Sequence, residues 1–151
     1  MAGQAPIARK DGTNYTARLR LRADKRLLVS GEDQLFTFAD TLQVYVTGNP
    51  SGAGGYLESS PVPEGEEWGM TNVVAENETT DLTSIRMCRF CDGVQYCFAC
   101  TTRAVPKTDR ICWNGQEWAT AEDTIRVTMV GCLAGDTCHV WITGYKMTKE
   151  A

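Results

Sequence analysis

Apolar and polar side chains alternate with a period of two along most of this chain, and that alternation restricts its fold more than any other feature. Tyr15, Ala17, Leu19 and Leu21 alternate with Thr16, Arg18, Arg20 and Arg22. Leu42, Val44 and Val46 alternate with Gln43, Tyr45 and Thr47, and Ile125, Val127 and Met129 with Thr124, Arg126 and Thr128. Successive side chains on a strand point to opposite faces, so this pattern predicts strands with one buried face. Val73 to Ala75 reads as another strand, entered by way of Trp68 and Met70. His139 to Met147 reads as a long closing strand, with Val140 and Ile142 on one side and Trp141 and Tyr145 on the other. No stretch carries a helical stripe.

Turn-rich segments separate these strands: GNPSGAGG (Gly48 to Gly55), SSPVPEGEE (Ser59 to Glu67), and the loops at Asn114-Gly115 and Gly135-Asp136. GNPSGAGG is read as a surface loop, because no Gly-Lys-Ser/Thr follows it and no helix opens after it, as a phosphate cradle requires. Many short antiparallel strands with regular turns predict an all-β fold, an antiparallel β-sandwich of jelly-roll type with an extended N-terminal arm. The sandwich is expected over residues 27–151. Residues 1–26 form the basic arm with the first strand, paired at the edge of the sandwich or on a neighbour.

At 151 residues the chain is long enough to bury a core without metal or disulfide staples. Its net charge of −4 is unevenly divided. Up to Arg26 there are seven basic residues (Arg9, Lys10, Arg18, Arg20, Arg22, Lys25 and Arg26) against Asp11 and Asp24, a balance of +5 that leaves −9 on the remainder. Such a segment is suited to an acidic partner surface. Direct nucleic-acid binding is not expected, because the rest of the domain is acidic. MAGQAPIARKDG has no apolar stretch resembling a signal peptide, and no run reaches the roughly 18 apolar residues of a membrane span. The expectation is therefore a soluble protein with no membrane partner, made in a reducing cytosol.

The seven cysteines are concentrated in CRFCDGVQYCFAC (Cys88 to Cys100). An odd count forbids full internal pairing. A four-cysteine zinc site usually separates its two Cys-x-x-Cys pairs by a dozen residues or more, and here five intervene. A disulfide ladder, Cys88 opposite Cys100 and Cys91 opposite Cys97, competes with a two-residue turn on Asp92-Gly93, the strongest short hairpin signal. The turn register sets Ile85 against Cys100, Met87 against Phe98, Arg89 against Tyr96 and Cys91 against Val94, which makes one face almost wholly apolar. Because register follows the buried face, this one is preferred. It makes Cys91 and Cys100 small core residues and places Cys88 opposite Cys97 on the other face, a pair able to oxidise outside the cytosol. Cys132 and Cys138, flanking LAGDT, form the second candidate pair, and Cys112 has no evident partner. No metal site is assigned.

No catalytic residue or cofactor is assigned either. His139 is the only histidine, and Cys138 points to the opposite face of the same strand, so the two cannot form a dyad. No Gly-x-Ser-x-Gly, His-Glu-x-x-His or EF-hand pattern occurs, and the acidic residues of EGEE (Glu64 to Glu67) and Ala121-Glu122-Asp123 fall in turns. Asn14-Tyr15-Thr16 and Asn77-Glu78-Thr79 match the glycosylation acceptor pattern but mean little without a secretion signal. Trp68, Trp113, Trp118 and Trp141 suit either packing or a ligand groove.

From about Pro61 onward the chain resembles the jelly-roll decoration, or cement, proteins of tailed-bacteriophage heads. The pieces are PVPEGEEW (Pro61 to Trp68), TNVVAENETT (Thr71 to Thr80), IRM before a Gly-containing hairpin, WNGQEW (Trp113 to Trp118), AEDTIRV (Ala121 to Val127), GCLAGD (Gly131 to Asp136) and ITGY (Ile142 to Tyr145). Their order carries the resemblance, and the cysteine-rich hairpin departs from it. The resemblance implies a structural virion protein, made in the host bacterial cytoplasm, that binds the major capsid protein on the capsid exterior as a homotrimer near threefold positions. The docking residues expected are Arg9, Lys10, Arg18, Arg20, Arg22, Lys25 and Arg26, with Arg18, Arg20 and Arg22 on one face of one strand. Two alternatives stand beside it: a trimeric receptor- or glycan-binding module of a phage fibre or tail, and a zinc-stabilised interaction domain.

Overall fold

The computed structural model describes residues 6–7, 17–18, 20–21, 27–30, 35–51 and 55–149, with side chains at 39–51 and 55–148. Every helix-or-strand element among them is a strand: β1 (Pro6–Ile7), β2 (Ala17–Arg18), β3 (Arg20–Leu21), β4 (Leu27–Ser30), β5 (Leu35–Gly48), β6 (Tyr56–Glu58), β7 (Glu66–Asn77), β8 (Ser84–Cys91), β9 (Val94–Cys100), β10 (Arg110–Ala119), β11 (Thr124–Val130) and β12 (Cys138–Lys149). One sheet runs β10-β7-β12-β5-β4-β3 and a second runs β6-β11-β8-β9, while β1 and β2 pair with each other. All pairings are antiparallel. The eight strands β5 to β12 thus divide into two four-strand layers, with most successive strands crossing between them, and the fold is an antiparallel β-sandwich of jelly-roll type.

The alternating residues build the core. In β11 the pattern is strict, with Ile125, Val127 and Met129 buried and their neighbours half-buried. Ile85, Met87 and Leu57 join them from the same sheet, and Leu42, Met70, Val73, Ala75, Val140 and Ile142 face them from the other. Each large aliphatic side chain so covered contributes about 1.5–3 kcal/mol of transfer free energy. Val62, Leu82, Val105, Trp68 and Ala119 complete the same cluster.

Bulges keep both ends of the long strands in phase. Met70 and Val73 are both buried although three residues separate them. Pairing with β12 passes from Asn72 to Met70 and skips Thr71, which resets the alternation. On its other side β7 meets β10, where pairing jumps from Asn114 to Glu117. The Asn114-Gly115 signal is therefore a bulge within one strand and not the expected loop, because the pairing of β10 with β7 continues on either side of it. Beside the β7 bulge, Gly69 and Gly144 let two backbones approach: a Cβ on Gly144 would stand 2.0 Å from the Gly69 carbonyl oxygen, and one on Gly69 would meet the Tyr145 ring at 2.3 Å.

The hairpin turns on Asp92-Gly93, both in the left-handed region (φ 48° and 79°), as a two-residue primed turn requires. Near the turn Arg89 faces Tyr96 and Cys91 faces Val94. Farther out the expected register fails: Met87 faces Ala99 and Arg86 faces Cys100, because β9 carries one extra residue, Phe98. Phe98 packs instead on Trp113, ring centroids 4.6 Å apart. The expected core roles of Cys91 and Cys100 fail with it, since Cys91 is half-buried and Cys100 exposed on the edge strand β9.

Replacing Gly144 by Ala is expected to cost about 1–3 kcal/mol or more, the range of an overpacked core, because a backbone atom and not a flexible side chain occupies the space. Urea unfolding at unchanged m-value measures it, and a loss below about 1 kcal/mol would contradict the close approach.

Candidate functional site

Among the described residues, the outer face of the six-stranded sheet gathers aromatic, charged and amide side chains. Register decides which residues meet there. Trp141 of β12 lies directly opposite Tyr45 of β5 and Val74 of β7, while His139 lies opposite Thr47 and Glu76, and Thr143 opposite Gln43 and Asn72. Inward-pointing Val140 and Ile142 anchor the strand, so the odd-numbered residues between and beside them must face out.

Three rings cluster on this face, each about equally distant from the other two. Tyr45 and His139 have centroids 5.8 Å apart at 13°, Tyr45 and Trp141 5.5 Å at 30°, and His139 and Trp141 5.5 Å at 30°. The Tyr45 hydroxyl and His139 Nδ1 share a hydrogen bond of 2.6 Å. His139 Nε2, buried, lies 3.2 Å from Glu78 Oε1, within ion-pair range but outside hydrogen-bond geometry. The Arg110 guanidinium stands 5.5 Å from the Trp141 ring centre and donates a 2.8 Å hydrogen bond from Nε to Glu76 Oε2. Tyr45 is 54% exposed despite these contacts. A shallow depression of about 280 Å³ beside the cluster is lined by Gln43, Val44, Tyr45, Trp141, Ile142 and Thr143. Farther along the sheet, Trp118 meets Tyr145 edge to face at 5.4 Å, and the Gln116 amide donates to the Tyr145 hydroxyl at 2.9 Å.

The four tryptophans therefore divide. Trp68 is buried and donates to Glu66 at 3.1 Å, Trp113 packs on Phe98, and Trp118 and Trp141 sit in the two ring clusters. The sequence reading singled out Trp141 and His139 but missed Tyr45, Gln43 and Arg110. No local signal links Tyr45 to Trp141, since 96 residues separate them and only the β5–β12 register joins them. His139 and Cys138 point to opposite sides of β12, with Cys138 fully buried.

The basic residues are only partly placed. Arg18 lies in β2 and Arg20 in β3, strands of different sheets, so the expected single strand does not carry both; Leu19 between them is outside the described residues. Arg9, Lys10, Arg22, Lys25 and Arg26 also lie outside the described residues. Through β3, paired with β4, this part of the chain joins the edge of the six-stranded sheet.

Cys88 and Cys97 are joined in a disulfide. That removes two of the four thiolates a zinc knuckle in this hairpin would need, and among the described residues no three His, Cys, Asp or Glu side chains gather as a metal site. Cys132 and Cys138 lie with sulfurs 3.6 Å apart, unbonded and buried. Burial raises the Cys132 thiol pKa and pushes that of Cys138 up to about 12, so both are protonated at neutral pH. Cys100 and Cys112 are exposed and line a second depression of about 140 Å³ between the edge strands β9 and β10.

The turn between Cys132 and Cys138 is held by Asp136. Its carboxylate accepts from the Thr80 hydroxyl, from the Leu133 N–H at 2.9 Å and from the Asn77 amide at 2.9 Å. Asn77 is thereby 2% exposed, so the second glycosylation-like triplet has its asparagine inside the protein.

No family model matches the chain, and no curated protein matches it. Among solved structures, a chain titled "CBM4 structure and function" is similar at 15% identity and a TM-score of 0.34, covering 82% of this chain and 89% of that one. At that score the likeness carries no weight for fold or ligand.

Alkylation without reductant is expected to label Cys100 and Cys112 in the native protein. After unfolding, five thiols should react and Cys88 and Cys97 should not, as read by mass spectrometry. Seven reactive thiols would remove the disulfide.

A pH dependence follows from Asp136, whose pKa is held down from 3.8 to about 2, the Thr80 hydroxyl being the largest cause. A depressed folded-state pKa stabilises fully above the unfolded value, and that stabilisation is lost as pH falls from about 4 toward 2. Asp136→Asn should be less stable at pH 7 and should show a flatter stability profile between about pH 4 and 2. Parallel profiles in thermal melts would contradict this.

Proposed function

We propose that this chain is a structural virion protein that binds the outer surface of a tailed-phage capsid and stabilises the shell, acting as a decoration or cement protein. Its partner is the major capsid protein, its assembly a homotrimer near threefold positions, and its role adhesion without catalysis. The observation that supports this reading best is the division of charge along the chain. The +5 segment 1–26 is joined through β3 to one edge of a sandwich whose residues 27–151 carry −9. A basic segment attached at an edge can lie on an acidic shell while the acidic body stays in solvent. The ordered sequence pieces from Pro61 onward point the same way. A protein that binds only the assembled lattice stabilises it by mass action, and many copies or three linked protomers let each contact be modest.

A second reading, a glycan-binding module of a phage fibre or tail, is favoured by the ring cluster of Tyr45, His139 and Trp141.

Cosedimentation with empty phage heads tests the first reading. Of the described strands, deleting residues 1–26 removes β1 to β3 and none of the described core cluster, so the sandwich should remain folded by circular dichroism while binding falls at least tenfold. Binding by the intact chain should also weaken steeply as salt is raised, because exposed charges are screened. Undiminished binding by the truncated chain would refute the role of the basic segment.

A further inference from the structure

We propose that the depression beside Tyr45 and Trp141 is a binding site for an uncharged pyranose glycan. This deepens the second reading above and does not depend on the first.

Three observations select this ligand. First, the Arg110 guanidinium beside the rings is already engaged by Glu76 at 2.8 Å. A guanidinium already paired with a carboxylate offers little to a nucleic acid or another strongly anionic ligand. Second, the depression is lined by both aromatic and hydrogen-bonding residues. Tyr45 and Trp141 supply the rings, and the Gln43 amide and Thr143 hydroxyl line the same hollow. A pyranose offers partners for both, with C–H groups on its ring faces and hydroxyls around its rim; the electron-rich ring faces attract the C–H groups, and the amide and hydroxyl can each donate and accept. Third, the rings are fixed before any ligand arrives. Tyr45 is tied through its hydroxyl to His139 and stacked on Trp141, and Arg110 lies over Trp141. Little side-chain freedom remains to be lost on binding. A hollow of about 280 Å³, open along the sheet, suits one sugar unit of a longer chain, which would run on across the outer face toward Asn72 and Asn114, themselves joined at 2.8 Å.

Cellohexaose, xylohexaose, mannohexaose and N-acetylchitohexaose are the probes, titrated into the full chain with intrinsic tryptophan fluorescence and calorimetry as readouts. At least one is expected to bind and to shift the fluorescence. Tyr45→Ala and Trp141→Ala should each weaken it tenfold or more, which is about 1.4 kcal/mol, while Tyr96→Ala, exposed on β9 of the other sheet, leaves it unchanged. Gln43→Ala should weaken it less, and it serves with Tyr45→Ala if Trp141→Ala fails to fold. Binding that survives Tyr45→Ala and Trp141→Ala in folded protein would overturn the site but leave the glycan-binding reading standing. Absence of binding by all four sugars at millimolar concentration would overturn both. Self-association abolished by Tyr45→Ala, with no sugar binding, would identify the face as a contact between copies of this chain and would also overturn the proposal.

Discussion

The contact between the two inner faces of the sandwich holds the rest of the structure in place. Ile85, Met87, Ile125, Val127 and Met129 meet Leu42, Met70, Val73, Val140 and Ile142, all buried. Because side chains alternate along a strand, burying one set dictates what the opposite set must do. Fixing Val140 and Ile142 inward presents His139, Trp141 and Thr143 outward, and fixing Leu42 inward presents Gln43 outward. The candidate binding surface is thus the necessary reverse side of the core, and a one-residue slip of β12 would bury it.

Several strands reset that alternation locally at bulges, where one extra residue changes which side chains face in. The skipped Thr71 in β7, the jump from Asn114 to Glu117 in β10 and the extra Phe98 in β9 are local re-phasings. Each has a side-chain consequence. Thr71 allows Met70 and Val73 to be buried together, and Phe98 meets Trp113 across the gap between the edges of the two sheets. At the other end of the molecule the turn between Cys132 and Cys138 depends on a polar knot. Asp136 satisfies Leu133, Asn77 and Thr80 with one carboxylate, and two apolar-behaving thiols pack beside it.

Three arginines of the described surface are engaged by neighbouring carboxylates, rings or carbonyls. Arg126 lies between the rings of Tyr56 and Phe90, 3.9 and 4.0 Å from their centres, and pairs with Glu58 at 3.0 Å. Arg89 lies over Tyr96 and donates to the Trp118 carbonyl at 2.7 Å. These arginines stiffen the sandwich surface and are engaged within it. The excess of basic over acidic residues lies in residues 1–26, which is why shell adhesion is proposed for that segment and sugar recognition for the ring-bearing outer face.

The period-two pattern alone determined that the chain is all-β, where β11 and the central parts of β5, β7 and β12 fall, and which of their residues face the core. Strand alternation is a local property, and each segment reports it independently of the others. Asp92-Gly93 likewise determined the hairpin turn, because left-handed backbone at both positions is chemically selective. Only the tertiary structure decided the register beyond the turn, the partition of strands between sheets, and the meeting of Tyr45 with Trp141. Bulges insert a single residue with no compositional mark, as Asn114-Gly115 illustrates by resembling a turn. Contacts between residues 96 positions apart depend on which strands pair, and that choice is made by the summed burial of the whole core rather than by any segment of it.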